Sequence, residues 1–155
     1  VIRSGNGISH SEEIGEKSEI FQIWFDPDIS RTLLDDASYD DYKSNDFEII
    51  ESDNHIKKII KGDSSPLELT SENIHINEFS FNSGKFDHNL SLGLTSSIFV
   101  IDGEGQFNNQ IIKKGDFIVI EDEEILNIEC DNHIKLFEIT SPKNPSYPTY
   151  FQRFG

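Results

Sequence analysis

The feature that most constrains this chain is the near absence of helical periodicity. Short runs rich in β-branched and aromatic residues recur instead, and clusters of Gly, Pro, Asn, Asp and Ser close them. A series of short strands separated by turn residues is typical of an all-β sandwich or barrel. The predicted strands are residues 20–25, 47–50, 55–60, 74–81, 90–94, 98–102, 110–112, 117–120, 125–130 and 135–140.

The residues between these runs predict where the chain turns. Asn108-Asn109 and Asp131-Asn132 favour tight hairpins, because Asn and Asp tolerate positive φ. Turns are also predicted at residues 82–84 and 103–105, where glycine interrupts the apolar pattern.

Composition divides the chain into three zones. Residues 1–46 contain a Gly-rich approach to the first strand and then an Asp-rich connector, residues 47–140 form the β-rich body, and residues 141–155 form a tail. Pro142, Pro145 and Pro148 in that tail disfavour a helix and predict an extended arm.

The formal net charge of −16 narrows the possible partners. Such a surface repels phosphate backbones and anionic lipid, so direct binding to nucleic acid or to a membrane is disfavoured, whereas a basic protein partner is compatible.

Cys130 is the only cysteine and lies in an apolar strand pattern, which predicts a buried thiol in a reducing, cytoplasmic compartment. No segment approaches the roughly 20 apolar residues of a membrane span. The chain has no Met and begins at Val1, so we expect further residues upstream.

His10 and Glu12 are the first candidate metal ligands. On an extended strand they project from the same face, and an imidazole nitrogen with a carboxylate oxygen is a donor pair suited to Fe(II), Mn, Ni or Zn. An isolated His-x-Glu also occurs as a surface His beside an acidic loop, so the pair alone leaves both interpretations open.

The surrounding residues resemble a known family. Gly5-Asn6-Gly7-Ile8-Ser9-His10-Ser11-Glu12, followed by Phe21-Gln22-Ile23-Trp24 and by Ser38-Tyr39, is similar to the end of the N-terminal cupin of pirin-like proteins. The resemblance implies an all-β fold, the cupin double-stranded β-helix (a jelly-roll barrel), here with an N-terminal extension and an extended C-terminal arm. It implies that residues 1–46 are the remnant of one cupin and that 47–140 form a second.

The same resemblance implies metal ligation by His10 and Glu12, with iron or another divalent metal in an intact family member. The family's other two ligands come from an upstream His-x-His, and this sequence contains no His-x-His. Two donors are too few to hold a catalytic metal, so the chain is expected to hold no cofactor and to form only an incomplete half-site.

The body shows a degenerate version of the cupin pattern. Residues 98–105 and 114–120 resemble its hydrophobic strand and its Gly-Asp step, but Ser97 stands at the Glu position. The His-x-His positions fall on Leu90 and Leu92, or on the residue after each. We therefore expect a hydrocarbon pocket wall without a metal site. His88, beside Asp87, is expected to be solvent-exposed.

Three hypotheses about function follow. The first is a C-terminal cupin of a pirin-like protein with a structural or protein-interaction role and no activity of its own. The second is part of a metal-dependent dioxygenase of the quercetin type, or of a redox regulator, whose half-site at His10 and Glu12 is completed elsewhere. The third is a module that binds an apolar ligand in a cavity lined by Leu90, Leu92, Phe99 and Phe117. A homodimer through strand 20–25 or the tail is also expected.

Overall fold

The computed structural model describes residues 1–154, which fold into nine strands and three short helical segments. The strands are β1 (Ile2–Arg3), β2 (Ser38–Tyr39), β3 (Glu48–Glu51), β4 (His55–Lys61), β5 (His75–Asn89), β6 (Leu94–Phe107), β7 (Gln110–Lys113), β8 (Phe117–Ile120) and β9 (Ile125–Pro142). The helical segments are α1 (Ile29–Thr32), a 3₁₀ turn (Ser44–Asp46) and α2 (Tyr150–Phe154). None of the helices in this range is long and apolar enough to cross a membrane.

The chain divides into two compact units. The terminal unit comprises Val1–Tyr42, Leu69–Glu72 and Pro145–Gly155, and the barrel unit comprises Lys43–Glu68 and Asn73–Asn144. Strands β3 to β9 all belong to the barrel unit and form one antiparallel sheet in the order β3-β4-β5-β9-β6-β7, with β8 paired to β6. The predicted all-β fold is confirmed.

Three long strands form the centre of this sheet. β5, β6 and β9 contain 15, 14 and 18 residues, and β5 and β9 run without a break through positions where the sequence predicted turns. The turns predicted at 82–84 and 131–132 are therefore wrong. The β5–β9 register shifts between Asn82 and Gly84, and such a bulge bends a strand and increases its twist without ending it.

Two of the predicted turn signals have a clear structural role. Asn108 and Asn109 have φ of 46° and 67° and connect β6 to β7, which confirms a tight hairpin with both central residues at positive φ. Gly103 lies within β6 rather than in a turn, with φ of 80°. A Cβ at Gly103 would lie 2.2 Å from the carbonyl oxygen of His133, so only glycine permits this close approach of β6 to β9.

The core lies between the inward faces of the long strands. Alternate residues of β6 and β9 are buried, as the two-residue period of a strand requires, and Val100 and Ile134 are fully inaccessible. Cys130 is 3% exposed, which confirms the predicted buried thiol. The cluster consists of Phe79, Phe81, Ile98, Val100, Phe107, Ile112, Leu126, Ile128, Cys130, Ile134 and Leu136.

The terminal unit contains no buried residue in its described part. The strand predicted at 20–25 is absent, and Trp24 within that run is 85% exposed. The aromatic pattern of this run fits a strand, but no neighbouring strand supplies the hydrogen bonds that a strand needs. β1 and β2 form a two-residue ladder, and Arg3 forms an ion pair with Asp40 beside it.

Polar contacts also hold the tail within the terminal unit. The Tyr147 hydroxyl donates to the backbone oxygen of Asp26 at 2.8 Å, and the Ser146 hydroxyl donates to Glu72 Oε2 at 2.6 Å. The arm is not extended to its end, because α2 begins after Pro148. Thr149 and Gln152 form a reciprocal capping box at that point, a signal strong enough to begin a helical turn.

Candidate binding pocket

A cavity of about 390 Å³ opens within the barrel unit, between β4, β5 and the end of β9. Apolar groups such as Phe79 and Leu90 form part of its wall. Its polar lining includes Lys57, Lys61, His75, Asn77, His88 and Glu138. The pocket is therefore lined by both hydrocarbon and charged groups.

Strand register explains why these polar groups meet. Asn77 of β5 lies directly opposite Glu138 of β9, and His75 lies opposite Thr140. Residues directly opposite in an antiparallel pair project to the same face, so all four side chains belong to the inward face of the sheet.

Glu138 is the most deeply placed of them, with a side chain that is 4% exposed. Its Oε1 accepts a hydrogen bond from the Ser96 hydroxyl at 2.6 Å and another from His88 Nε2 at 2.9 Å. Ser96 comes from β6, whereas His88 comes from the part of β5 beyond the bulge at residues 82–84. Three strand segments thus converge on one carboxylate oxygen.

The pKa of Glu138 lies below its ordinary value. Burial is the largest single influence and acts to raise the pKa, because it disfavours the charged form. The hydrogen bond and the positive charge of His88, the hydrogen bond from Ser96 and the more distant charge of Lys57 together outweigh burial. Glu138 is therefore a buried carboxylate that is ionised at neutral pH.

Part of the hydrogen-bonding capacity in the pocket is unused. Among residues 1–154, both hydrogen bonds to Glu138 go to Oε1, and the side chain of Asn77, which is 9% exposed, forms none. No side-chain nitrogen or oxygen that is sealed from solvent in this range lacks a partner. Glu138 Oε2 and the Asn77 carboxamide must therefore be open to the cavity that both residues line.

The predicted metal ligands lie in the terminal unit. His10 Nε2 and Glu12 Oε1 are 3.9 Å apart, and the two side chains are 41% and 42% exposed. Neither residue lies on a strand, so the predicted strand geometry is absent. The residues that the structure describes include no group of three or more His, Cys, Asp or Glu side chains able to hold a metal ion. They do not fit a resident catalytic metal, and the half-site at His10 and Glu12 stays a prediction.

The predicted apolar cavity lining is wrong at three of its four positions. Leu92 and Phe117 are 63% and 62% exposed, and Phe99 lies on the face of β6 opposite to the buried Ile98 and Val100. Leu90 does line the cavity. For Phe99 and Phe117 the register of β6 and β8 decides this outcome, because a shift of one residue exchanges the two faces of a strand. Leu92 lies before β6 begins at Leu94.

Two further expectations about the body are also wrong. His88 is not solvent-exposed, because its side chain is 16% accessible and bonded to Glu138. The pocket wall is not hydrocarbon alone, because it also presents two imidazoles and two carboxylates. The sequence contains a signal for Glu138, since it stands at the inward position of the alternating series Ile134, Leu136, Glu138.

Comparisons with known proteins agree on the fold. No protein-family model and no curated protein matches the chain. Two crystal structures of quercetin 2,3-dioxygenase from Acinetobacter baumannii match the chain. The first has a TM-score of 0.64 at 16% identity and covers 75% of this chain and 39% of its own. The second has a TM-score of 0.62 at 12% identity and covers 73% of this chain and 42% of its own. A crystal structure of a Geobacillus kaustophilus protein matches with a TM-score of 0.61 at 16% identity, over 75% of this chain and 52% of its own.

These identities bear on the fold alone, and the chain spans from about two fifths to half the length of the proteins it matches. Antiparallel sheet order, bent long strands and these similarities together identify the chain as a protein with the cupin fold, a jelly-roll barrel.

Proposed function

We propose that the barrel unit is a binding module for a small polar molecule, held in its pocket without a metal ion. The observation that carries this proposal is the pair of Glu138 Oε2 and the Asn77 carboxamide, both nearly buried and both open to the cavity. Both groups can be reached from the cavity and have hydrogen-bonding capacity that no protein group uses, so a ligand that enters the cavity can bond to them.

The size and lining of the pocket support a small ligand. A cavity of about 390 Å³ is within the range of small-molecule sites, which combine apolar walls with a few placed polar groups. Phe79 and Leu90 supply apolar wall, and the bonds from Ser96 and His88 hold the Glu138 carboxylate in one orientation. An oriented carboxylate binds more tightly than a mobile one, because less side-chain entropy is lost on binding.

A screen of matched polar and apolar fragments, followed by ¹H–¹⁵N NMR, tests the proposal. We expect polar fragments to shift the amide signals of pocket residues, and we expect Asn77→Leu and Glu138→Gln to weaken this binding by about tenfold or more. Glu129→Gln is the matched control, because Glu129 is on the same strand but pairs with the exposed Lys85 outside the pocket. Polar fragments that leave the pocket signals unchanged, or that bind all three variants like the parent chain, would refute the proposal.

A protein-interaction role is a second candidate, in which the chain is a pirin-like C-terminal cupin preceded by the remnant of another barrel. It is favoured by large apolar side chains of the terminal unit that remain exposed, namely Trp24 at 85%, Leu34 at 91% and Phe151 at 80%. Size-exclusion chromatography with light scattering checks whether they mediate a homodimer. A dimer that dissociates in Trp24→Ala or Phe151→Ala would support this role, and a monomer at high concentration would count against self-association.

A contribution to a metal-dependent dioxygenase is favoured by the 3.9 Å approach of His10 to Glu12 and by the fold shared with the quercetin dioxygenases. In this proposal the two residues are half of a site that other donors complete. Stoichiometric iron or nickel in the purified protein that is lost in His10→Ala would support it. Protein that stays metal-free after incubation with these ions would refute it.

A further inference from the structure

We propose that the ligand of the barrel pocket is a small zwitterion, with its carboxylate bound by Lys57 and Lys61 and its ammonium group bound by Glu138 and Asn77. This inference rests on the proposed binding function and specifies the class of ligand. It is carried by two opposite charges that face one cavity from different strands, β4 and β9.

The positive side of the pocket is unusual for so acidic a chain. The sequence has 29 acidic and 13 basic residues, yet among residues 1–154 neither Lys57 nor Lys61 has a carboxylate within 4.0 Å. Their neighbour Lys58 lies on the other face of β4 and pairs with Glu78 at 3.6 Å. The outward lysine has its counter-ion within the protein, whereas the two lysines that line the cavity do not.

Lys57 is also held in place by its surroundings. Its Nζ lies 5.7 Å from the centre of the Phe79 ring, a favourable position for an ammonium group over an aromatic face. The ammonium group of a lysine has three donors and no acceptor, so the group that satisfies it must be an acceptor and is best an anion.

The carboxylate of Glu138 is paired through one of its two oxygens. The hydrogen bonds from Ser96 and His88 both reach Oε1 of Glu138, and Asn77, which lies opposite Glu138 in the β5–β9 ladder, lines the same cavity. Each oxygen of a carboxylate can accept hydrogen bonds, so Oε2 can take a further donor. An ammonium group at Oε2 would supply that donor and would also donate to the Asn77 carboxamide oxygen.

The balance of charges argues against ligands with one charge only. Apart from the two imidazoles, four lining residues are charged at neutral pH, namely Lys57, Lys61, Asp63 and Glu138, two of each sign. A simple anion meets Glu138 and a chain of net charge −16, while a simple cation meets two unpaired lysines. A zwitterion avoids both repulsions and satisfies both groups, because opposite charges on the ligand match those on the two strands.

Three sets of probes test the inference by isothermal titration calorimetry with the whole chain. The zwitterions are glycine, 4-aminobutanoate and 6-aminohexanoate, and each is compared with the carboxylate and the amine of the same carbon length. We expect at least one zwitterion to bind about tenfold more tightly than both of its single-charge analogues. Each analogue loses one charge-assisted contact, and a tenfold difference corresponds to about 1.4 kcal/mol.

A pair of double variants links the binding to the lysines. We expect Lys57→Gln with Lys61→Gln to weaken zwitterion binding by about tenfold or more. We expect Lys85→Gln with Lys114→Gln, which removes two exposed lysines outside the pocket, to leave it within about twofold. All four lysines are exposed or partly exposed in the structure, so both double variants should fold. Circular dichroism checks this.

The outcomes separate this inference from the proposed function. Zwitterions that bind no better than their analogues, or equal losses in the two double variants, would overturn the zwitterion assignment. If zwitterions fail while other polar fragments bind at Asn77 and Glu138, the assignment falls and the binding function stands. If no polar molecule binds there, both are refuted.

Discussion

The barrel unit and the terminal unit each contain a histidine–glutamate pair, and the two pairs differ in every respect that determines strength. In the barrel unit His88 Nε2 is 2.9 Å from Glu138 Oε1, with side chains 16% and 4% exposed. In the terminal unit His10 Nε2 is 3.9 Å from Glu12 Oε1, with side chains 41% and 42% exposed. Identical residue types form an oriented, buried pair in one case and a solvated pair in the other.

The reason is the backbone that carries each pair. Glu138 and His88 are fixed by the ladders of β5 and β9, which lie over a continuous apolar core. His10 and Glu12 lie outside regular structure, in a unit with no buried residue in its described part. A side-chain pair gains strength from burial and from a rigid scaffold, so residue spacing alone cannot distinguish a functional pair from a surface pair.

Leucine truncations should give the largest difference between the units. Leu136→Ala removes a side chain that is 2% exposed in the barrel core and should lower the free energy of unfolding by about 2–5 kcal/mol. Leu34→Ala is the matched change in the terminal unit, where Leu34 is 91% exposed. It should alter the free energy of unfolding by less than about 0.5 kcal/mol. Urea denaturation followed by circular dichroism measures both values. Equal losses would contradict the claim that stability resides in the barrel unit.

Glycine replacements test the close approach of β6 to β9 within the barrel unit. Gly103→Ala should cost about 3 kcal/mol or more, because the new methyl group meets the His133 carbonyl at 2.2 Å. Gly93 is a φ-matched control, with φ of 82° against 80° and no atom within 4 Å of its Cβ position. Gly93→Ala should cost only the roughly 1–2 kcal/mol of positive φ. Thermal unfolding of the two variants compares them, and similar melting temperatures would exclude the close approach of β6 to β9.

The buried pair predicts a specific dependence of stability on pH. Because the pKa of Glu138 is lowered in the folded state, its contribution to stability is complete above its ordinary value of 4.5 and is lost as the pH falls through the lower folded value. Glu138→Gln should therefore reduce stability at pH 7 by roughly 1–3 kcal/mol, and this difference from the parent chain should shrink below pH 4.5.

Urea denaturation between pH 7 and pH 3 measures this dependence, and Glu12→Gln is the control from the exposed pair. We expect Glu12→Gln to change stability by less than about 0.5 kcal/mol at every pH in that range. If the loss of unfolding free energy in Glu138→Gln stays constant with pH, or grows on acidification, the Glu138 carboxylate is not ionised in the folded state as described.

The smallest effect is expected in the terminal unit. Tyr147→Phe removes the hydrogen bond from the phenol to the Asp26 backbone oxygen and should reduce global stability by about 1 kcal/mol or less. Its effect should be local, because this contact joins two segments of a unit that lacks a buried core. Amide hydrogen exchange should speed up near Asp26 and in the tail while β5, β6 and β9 stay protected. Loss of protection in those strands would contradict the division of the chain into two units.

The sequence predicted the barrel better than the site within it. Alternation of apolar residues is a direct consequence of strand geometry, so the strands of the body and the burial of Cys130 could be predicted. The turns at 82–84 and 131–132 could not, because a bulge and a turn use the same residues. Whether Phe99 or Ile98 faces inward depends on strand register, which pairing partners set and which a single strand does not encode.

The site required knowledge of contacts between distant strands. His88 and Glu138 are 50 residues apart, and their hydrogen bond depends on the bend of β5 between them. Spacing within one short motif drew attention to His10 and Glu12, which are close in sequence but exposed. Glu138 could have been recognised as one carboxylate in an otherwise apolar inward series. Ser96, which donates to it, and Asn77, which lies opposite it in the ladder, could not.

The most direct test of the central claim is an assigned ¹H–¹⁵N spectrum of the whole chain, titrated with the polar fragment that binds best. The account predicts shifts centred on the amides of Asn77, His88, Leu90, Glu138 and Thr140, which surround the cavity, with little change around His10 and Glu12. Shifts confined to residues 1–42, with the pocket amides unmoved, would contradict it.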